Sequence, residues 1–292
     1  MTSIAEAWRA ASQRIDRLDA RLLVENVAGC THADLIAHPT RPLSADLLAR
    51  LDALVKRRAG GEPLGYLLRS AGFYGLEFMV TPAVLIPRPE TELLVNLAVE
   101  KGRQLPAPNI VDLGTGSGVL AITLERLLPE ATITAVDVCS GALEVASVNA
   151  RRHTADVRFL LGDWYSPLGG ERFDLIVANP PYVIDGDPHL QQNGLPFEPQ
   201  TALTDGVVGG DGLACIRVIV CNAARHLRPG GWMLIEHGYD QAAAVRDLLH
   251  AAGLSDVASW LDLSGVERVS GGCLRVFSNS GMSLKERRSG WC

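Results

Sequence analysis

From Asn109 onward, short apolar runs alternate with stretches of helical pattern, and this alternation restricts the fold more than any other feature. Ile110-Val111-Asp112-Leu113, Thr132 to Val136, Val157 to Leu161, Phe173 to Ala178 and Trp232 to Glu236 each read as a buried strand. Each is too short for a helix and too apolar for a half-exposed strand. Helical patterns fill the intervals after Gly118, after Asp137, over 211–227 and over 240–252. Parallel neighbours need a crossover of about a dozen residues or more, and a helix supplies it. Two further strands, about 256–261 and 272–277, bring the expected sheet to seven. The expected class is therefore α/β, a mostly parallel sheet with helices on both faces. In such sheets ligands lie at the carboxyl ends of the strands.

Those ends are unusual here. Phe173 to Ala178 runs straight into Asn179-Pro180-Pro181-Tyr182. Two prolines stop the strand ladder, since neither has an N–H to donate. Asn179 is left extended before a proline, with its carboxamide facing the crevice. The Asn179 side-chain oxygen, the Pro180 carbonyl and the Tyr182 ring can together hold a planar –NH2 group, with Pro181 fixing the turn. The plainer reading is a strand-terminating turn.

Gly114-Thr115-Gly116-Ser117-Gly118 follows the first of these strands and opens a helix. Glycine lets the backbone approach a ligand closely. Asp137 ends the next strand, where an acid can accept both hydroxyls of a ribose. Asp163-Trp164 ends the third, where an adenine amino group and ring can be held. The turn spacing G-x-G-x-G departs from the dinucleotide fingerprint G-x-G-x-x-G. S-adenosylmethionine is therefore favoured over a nicotinamide cofactor. Taken singly, Asp137 also reads as a helix cap and Trp164 as a packed aromatic; their joint placement on successive strand ends favours a site.

Upstream, residues 3–28 read as one helix, and Ser44 caps another whose apolar face is Leu47, Leu48, Leu51, Leu54 and Val55. Residues 66–86 suggest a hairpin around Gly75. Arg88, Glu90 and Glu92 surround Pro89 at a helix start; they read either as a charged first turn or as the rim of the crevice. A net charge of −6 argues against broad phosphate binding. Six cysteines and seven histidines show no paired spacing, so neither disulfides nor a metal is expected. No apolar run reaches the roughly 20 residues of a membrane span.

The sequence resembles the bacterial protein-(glutamine N5) methyltransferases that modify peptide chain release factors. Leu85-Ile86-Pro87-Arg88-Pro89-Glu90-Thr91-Glu92, Asp112 to Gly118, Asn179 to Tyr182, Phe197-Glu198-Pro199 and Glu236-His237-Gly238 carry the resemblance. It implies a class I S-adenosylmethionine-dependent methyltransferase, Rossmann-like, with a small N-terminal helical bundle. The implied domains are residues 1–62 for substrate binding, a hairpin linker at 63–88, the methyltransferase domain at 89–278 and a polar tail at 279–292. It implies that Gly114, Thr115, Gly116, Ser117, Gly118, Asp137, Asp163, Trp164 and Asn179 bind the cofactor. Asn179, Pro180 and Tyr182 would act in catalysis, and Asn179, Pro180, Pro181, Tyr182, Arg88, Glu90 and Glu92 would bind substrate. The implied substrate is the glutamine of the Gly-Gly-Gln motif in class 1 peptide chain release factors. A cytoplasmic monomer that requires neither nucleic acid nor membrane is expected. The alternatives are methylation of an exocyclic amino group in DNA or RNA, and a non-catalytic adaptor of the same fold. Leu68 to Phe73, Gly271 to Leu274 and the tail to Cys292 depart from the family pattern.

Overall fold

The computed structural model describes residues 2–275. The end of the strand expected over 272–277 and the tail at 279–292 lie outside the described residues.

The N-terminal helices are α1 (Ile4–Ala11), α2 (Arg17–Ala28), α3 (His32–Ala37), α4 (Ala45–Ala59) and α5 (Leu64–Leu68). The single helix expected over 3–28 is thus two. Asp16 is the reason: its carboxylate accepts the backbone N–H of Leu18 at 2.7 Å and caps a new helix. A side chain that satisfies orphan N–H groups favours starting a helix over continuing one. Ile4, Leu23, Val24, Leu51 and Val55 close a small apolar core between these helices.

Strands β1 (Ala71–Phe73) and β2 (Leu76–Phe78) form a hairpin. Its two-residue turn, Tyr74-Gly75, has positive φ at both positions, 51° and 73°. That geometry matches the right-handed twist of the flanking strands.

The remaining chain runs α6 (Thr91–Gly102), β3 (Asn109–Leu113), α7 (Val119–Leu127), β4 (Thr132–Asp137), α8 (Ser140–His153), β5 (Val157–Leu161), β6 (Phe173–Ala178), α9 (Ala214–His226), β7 (Leu227–Glu236), α10 (Ala242–Ala251), β8 (Leu254–Leu261) and β9 (Glu267–Leu274). The sheet order is β5-β4-β3-β6-β7-β9-β8. The first five strands in that order are parallel; β9 is antiparallel to both its neighbours. Successive residues point to opposite faces. Ile110 and Leu175 join Leu94, Leu97, Leu120 and Leu124 of α6 and α7. Val111 and Ile176 join Ile216, Ile219, Val245 and Leu249 of α9 and α10. Both faces are therefore dry, as the unbroken apolar runs require.

From β3 the chain moves outward to β4 and β5, then returns to the other side of β3 as β6. This reversal opens a crevice above the carboxyl ends of β3 and β6, where a ligand fits best in such sheets. The segment between β6 and α9 crosses this region in three short 3-10 turns, Pro188–Gln191, Leu195–Phe197 and Gln200–Ala202.

Candidate active site

A cavity of about 530 Å³ occupies the crevice. Its lining includes Gly114, Thr115, Gly116 and Ser117 from the turn after β3, Asp137 at the end of β4, and Asp163 and Trp164 after β5. Asn179 and Pro181 after β6, and Arg88 from the linker, line it as well. The residues from Gly114 to Asn179 meet because each follows a strand that ends at the same sheet edge, and the linker brings Arg88 to them.

The glycine turn is held from below. The N–H groups of Gly114 and Thr115 both donate to the Val136 carbonyl, at 2.9 and 3.0 Å. Gly114, Gly116 and Gly118 have φ of 79°, 55° and 83°, a region that favours glycine. A Cβ on Gly118 would lie 3.0 Å from Ile122 and 3.2 Å from Ala146, whereas one on Gly116 would meet nothing within 4 Å. Gly118 is thus needed for packing of α7 on α8, and Gly116 leaves open space beside its backbone. Asn149, fully buried, donates to the Ser117 carbonyl at 2.9 Å and exchanges two hydrogen bonds with the Met79 backbone. It ties the turn to the linker. Sequence reasoning missed it, because one asparagine inside a helical pattern carries no signal of a partner 70 residues away.

Two acids sit beneath the turn. Asp112 is wholly buried and accepts the Thr115 hydroxyl at 2.6 Å, while its Oδ1 has no hydrogen-bond partner among the described residues. Burial pushes its carboxyl up to about 7, the Thr115 hydroxyl opposing and Asp137 adding to the rise. Asp137 accepts the Gly116 N–H at 2.8 Å and the Cys139 N–H at 2.9 Å. Burial raises its carboxyl too, against those two backbone donors. Each Asp137 oxygen spends only part of its acceptor capacity on the backbone, so lone pairs remain for hydroxyls in the cavity. An acid beside an open glycine backbone and the half-buried Trp164 ring fit a ribose, a sulfonium-bearing tail and a purine.

Asn179 points its amide nitrogen at Thr91, donating to Oγ1 at 3.1 Å. Its Oδ1 therefore carries the acceptor capacity left for the cavity. Thr91 opens α6 and is 2% exposed. It stood inside the Leu85 to Glu92 stretch, yet nothing in the sequence assigned it a partner.

Other expected residues are placed differently. The Tyr182 ring, expected beside a target group, packs against the core beneath the sheet end, and its hydroxyl donates to Glu236 at 3.2 Å. Pro180 is buried. Glu92 was expected at the rim; its carboxylate instead accepts the Tyr74 N–H at 2.8 Å and braces the hairpin. Glu90 is exposed at the N-cap of α6 and, like Glu92, is outside the cavity lining. Arg88 reaches the cavity but pairs with Glu198.

The description Methyltransferase small domain matches residues 89–193, and PrmC N-terminal domain matches residues 2–68. A relative from Burkholderia pseudomallei, Release factor glutamine methyltransferase, is 48% identical over 92% of this chain and 95% of its own. One of the same description from Xylella fastidiosa (strain Temecula1) is 46% identical over 90% of this chain and 95% of its own. Among solved structures, a T. thermophilus 16S rRNA methyltransferase in complex with AdoMet and guanosine shares the fold. Its TM-score is 0.53 at 22% identity, over 70% of this chain and 50% of that one.

Proposed function

We propose a division of labour among the site residues of a chain that belongs to the release factor glutamine methyltransferase family. The reaction is methylation of the side-chain amide nitrogen, N5, of the glutamine in the Gly-Gly-Gln motif of class 1 peptide chain release factors. The methyl donor is S-adenosylmethionine, which supplies, when bound, an electrophilic methyl group on a positively charged sulfur. Gly114 to Gly118, Asp137, Asp163 and Trp164 hold it.

An amide nitrogen is a weak nucleophile, because its lone pair is shared with the carbonyl. The chain's task is therefore orientation. Asn179 Oδ1 and the Pro180 carbonyl accept the two N–H bonds of the glutamine amide and turn its nitrogen toward the methyl group. Holding the partners in a reactive geometry removes much of the entropic barrier. The same two acceptors stabilise the positive charge that grows on nitrogen during transfer. Pro181 shapes the wall, and Tyr182 holds this strand end from below rather than flanking the substrate. Arg88 anchors the segment over the cavity; Glu90 faces solvent, where it can meet the protein substrate.

One observation carries the assignment: the Asn179 nitrogen is already occupied by Thr91, so its oxygen is what the cavity is offered. The N-terminal helices grip the release factor away from the reacting atoms. The reading includes a cytoplasmic monomer with no requirement for nucleic acid or membrane; among the described residues no helix is long and apolar enough to cross a membrane. The test is incubation with methyl-labelled S-adenosylmethionine and either purified release factor or ribosomal RNA. Label in the release factor, lost when its Gly-Gly-Gln glutamine is replaced, is expected; label in RNA alone overturns the reading.

A further inference from the structure

Glu236 ends β7 immediately beside the end of β6, where Ile235 faces Ala178 across the ladder. It is 1% exposed. Tyr182 donates to Oε1 at 3.2 Å, and the Thr91 hydroxyl also favours the charged form of this carboxyl. Its Oε2 is buried with no hydrogen-bond partner among the described residues. A carboxyl this deep and this incompletely satisfied costs stability, so its presence beside the site points to a task.

The task follows from counting hydrogens. Thr91 accepts the Asn179 Nδ2–H and has one hydrogen of its own to give. A nearby carboxylate attracts that hydrogen and leaves Thr91 presenting its lone pairs to Asn179. The carboxamide is then fixed with its nitrogen on Thr91 and its oxygen in the cavity. A protonated carboxyl donates to Thr91 instead and turns the Thr91 hydrogen toward Asn179. That arrangement favours the flipped carboxamide, which offers the cavity an NH2 and cannot accept the substrate's N–H.

Building on the reaction proposed above, we infer that Glu236, in its charged form, and Thr91 are positioning residues that set the orientation of the Asn179 carboxamide. Neither touches the reacting atoms; both act through Asn179.

The groups facing Glu236 make its charge adjustable near neutrality. Burial pushes its carboxyl up to about 7, with the Thr91 and Tyr182 hydroxyls and Arg268 opposing and Glu90 adding. Burial holds the imidazole of His237, next in the chain, below its ordinary range. Transfer therefore rises with pH through the titration of Glu236 and levels off once the carboxylate is formed.

The test compares wild type, Glu236→Gln, Thr91→Val and Thr91→Ser on the same release factor. Glu236→Gln and Thr91→Val are expected to lower kcat by about 10- to 100-fold, with KM and cofactor affinity changed by less than about threefold. Thr91→Ser, which keeps the hydroxyl, stays within about threefold of wild type. Wild type shows an acidic limb in kcat that Glu236→Gln lacks. Glu236→Gln that keeps both the wild-type kcat and the acidic limb overturns the inference. Thr91→Ser as impaired as Thr91→Val overturns it as well, because a purely steric role for Thr91 is then enough. If Glu236→Gln does not fold, the serine and valine pair decides the role of Thr91, and a wild-type kcat with no acidic limb overturns that of Glu236. Wild type that labels no release factor at all brings down the proposed reaction itself, a result distinct from any pattern among the variants.

Discussion

The Arg88 guanidinium meets the Glu198 carboxylate at 2.5 Å across 110 residues of chain, and the second Glu198 oxygen accepts the Ile86 N–H at 3.0 Å. Glu198 is 4% exposed, so the linker and the segment crossing the cavity are joined through a nearly dry carboxylate. Removing it leaves Arg88 and the Ile86 N–H without their partner. Glu198→Ala is expected to cost about 1–3 kcal/mol, less than a fully buried pair because Arg88 keeps some contact with water. Urea unfolding reads the loss, and limited proteolysis reads faster cutting within 184–203. A variant as stable and as resistant as wild type shows that other contacts hold this segment.

Two glycines of the same turn are expected to fail in different ways. In Gly118→Ala the new methyl presses on Ile122 and Ala146 at a positive φ, so stability falls by about 1–3 kcal/mol. Gly116→Ala meets no neighbouring atom, so its folding loss is about 1 kcal/mol while cofactor affinity drops more than about tenfold. Thermal melting and calorimetric titration with S-adenosylmethionine separate the two. Equal losses of affinity and stability at both positions count against an open ligand side at Gly116.

Asp112 predicts a dependence of stability on pH. Its carboxyl titrates near 3.8 when free and at about 7 in the fold. Between those values the folded chain keeps a proton that the unfolded chain has released. Stability is therefore full below the lower value and declines as pH rises through the window, by up to about 1.4 kcal/mol per unit from this group. Asp112→Asn removes the decline. The variant is expected to unfold at higher urea than wild type at pH 8 and to show a smaller advantage at pH 5. A difference independent of pH rules out Asp112 as the source.

Gln241 joins three backbone segments. Its Nε2 donates to the carbonyls of Tyr182 at 3.0 Å and Asp211 at 3.2 Å, and its Oε1 accepts the Gly238 N–H at 2.8 Å. Gln241→Ala strands these groups at about 1–3 kcal/mol and loosens the chain beyond Pro181. Turnover is expected to fall with stability in this variant, with faster exchange of the Gly238 amide by hydrogen–deuterium measurement. An unchanged exchange rate sinks the idea.

Much of this architecture was legible in the sequence because burial on both faces of a parallel sheet leaves unbroken apolar runs. The glycine turn and the Asn179 strand end announce themselves through backbone chemistry that few other residues supply. What escaped was of two kinds. The break between α1 and α2 is hidden because apolar spacing continues through residues 11–18; only the capping side chain of Asp16 decides it. The pairs Arg88–Glu198, Asn149–Ser117 and Thr91–Asn179 join distant positions, and a lone sequence holds no record of which polar residue meets which. Glu92 shows the same limit. Its place beside Arg88 suggested the rim, yet the hairpin offered the unsatisfied Tyr74 N–H, and that donor took it. Tyr182 was read as a flat wall for the target, but the core and Glu236 claim its two ends.

Strand β9 lies between β7 and β8, pairing Trp232 in the middle of β7 with Cys273 and Glu236 at its end with Val269. During synthesis β7 therefore leaves the ribosome long before its outer neighbour does. Until residue 274 has emerged, the most apolar stretch of β7, Met233 to Ile235, has an open edge, and such edges recruit other chains. The carboxyl at the end of that strand stays wet over the same interval and has no reason to hold its proton. Folding order thus delays completion of the site until β9 has emerged, and makes that strand a safeguard against aggregation as much as part of the scaffold.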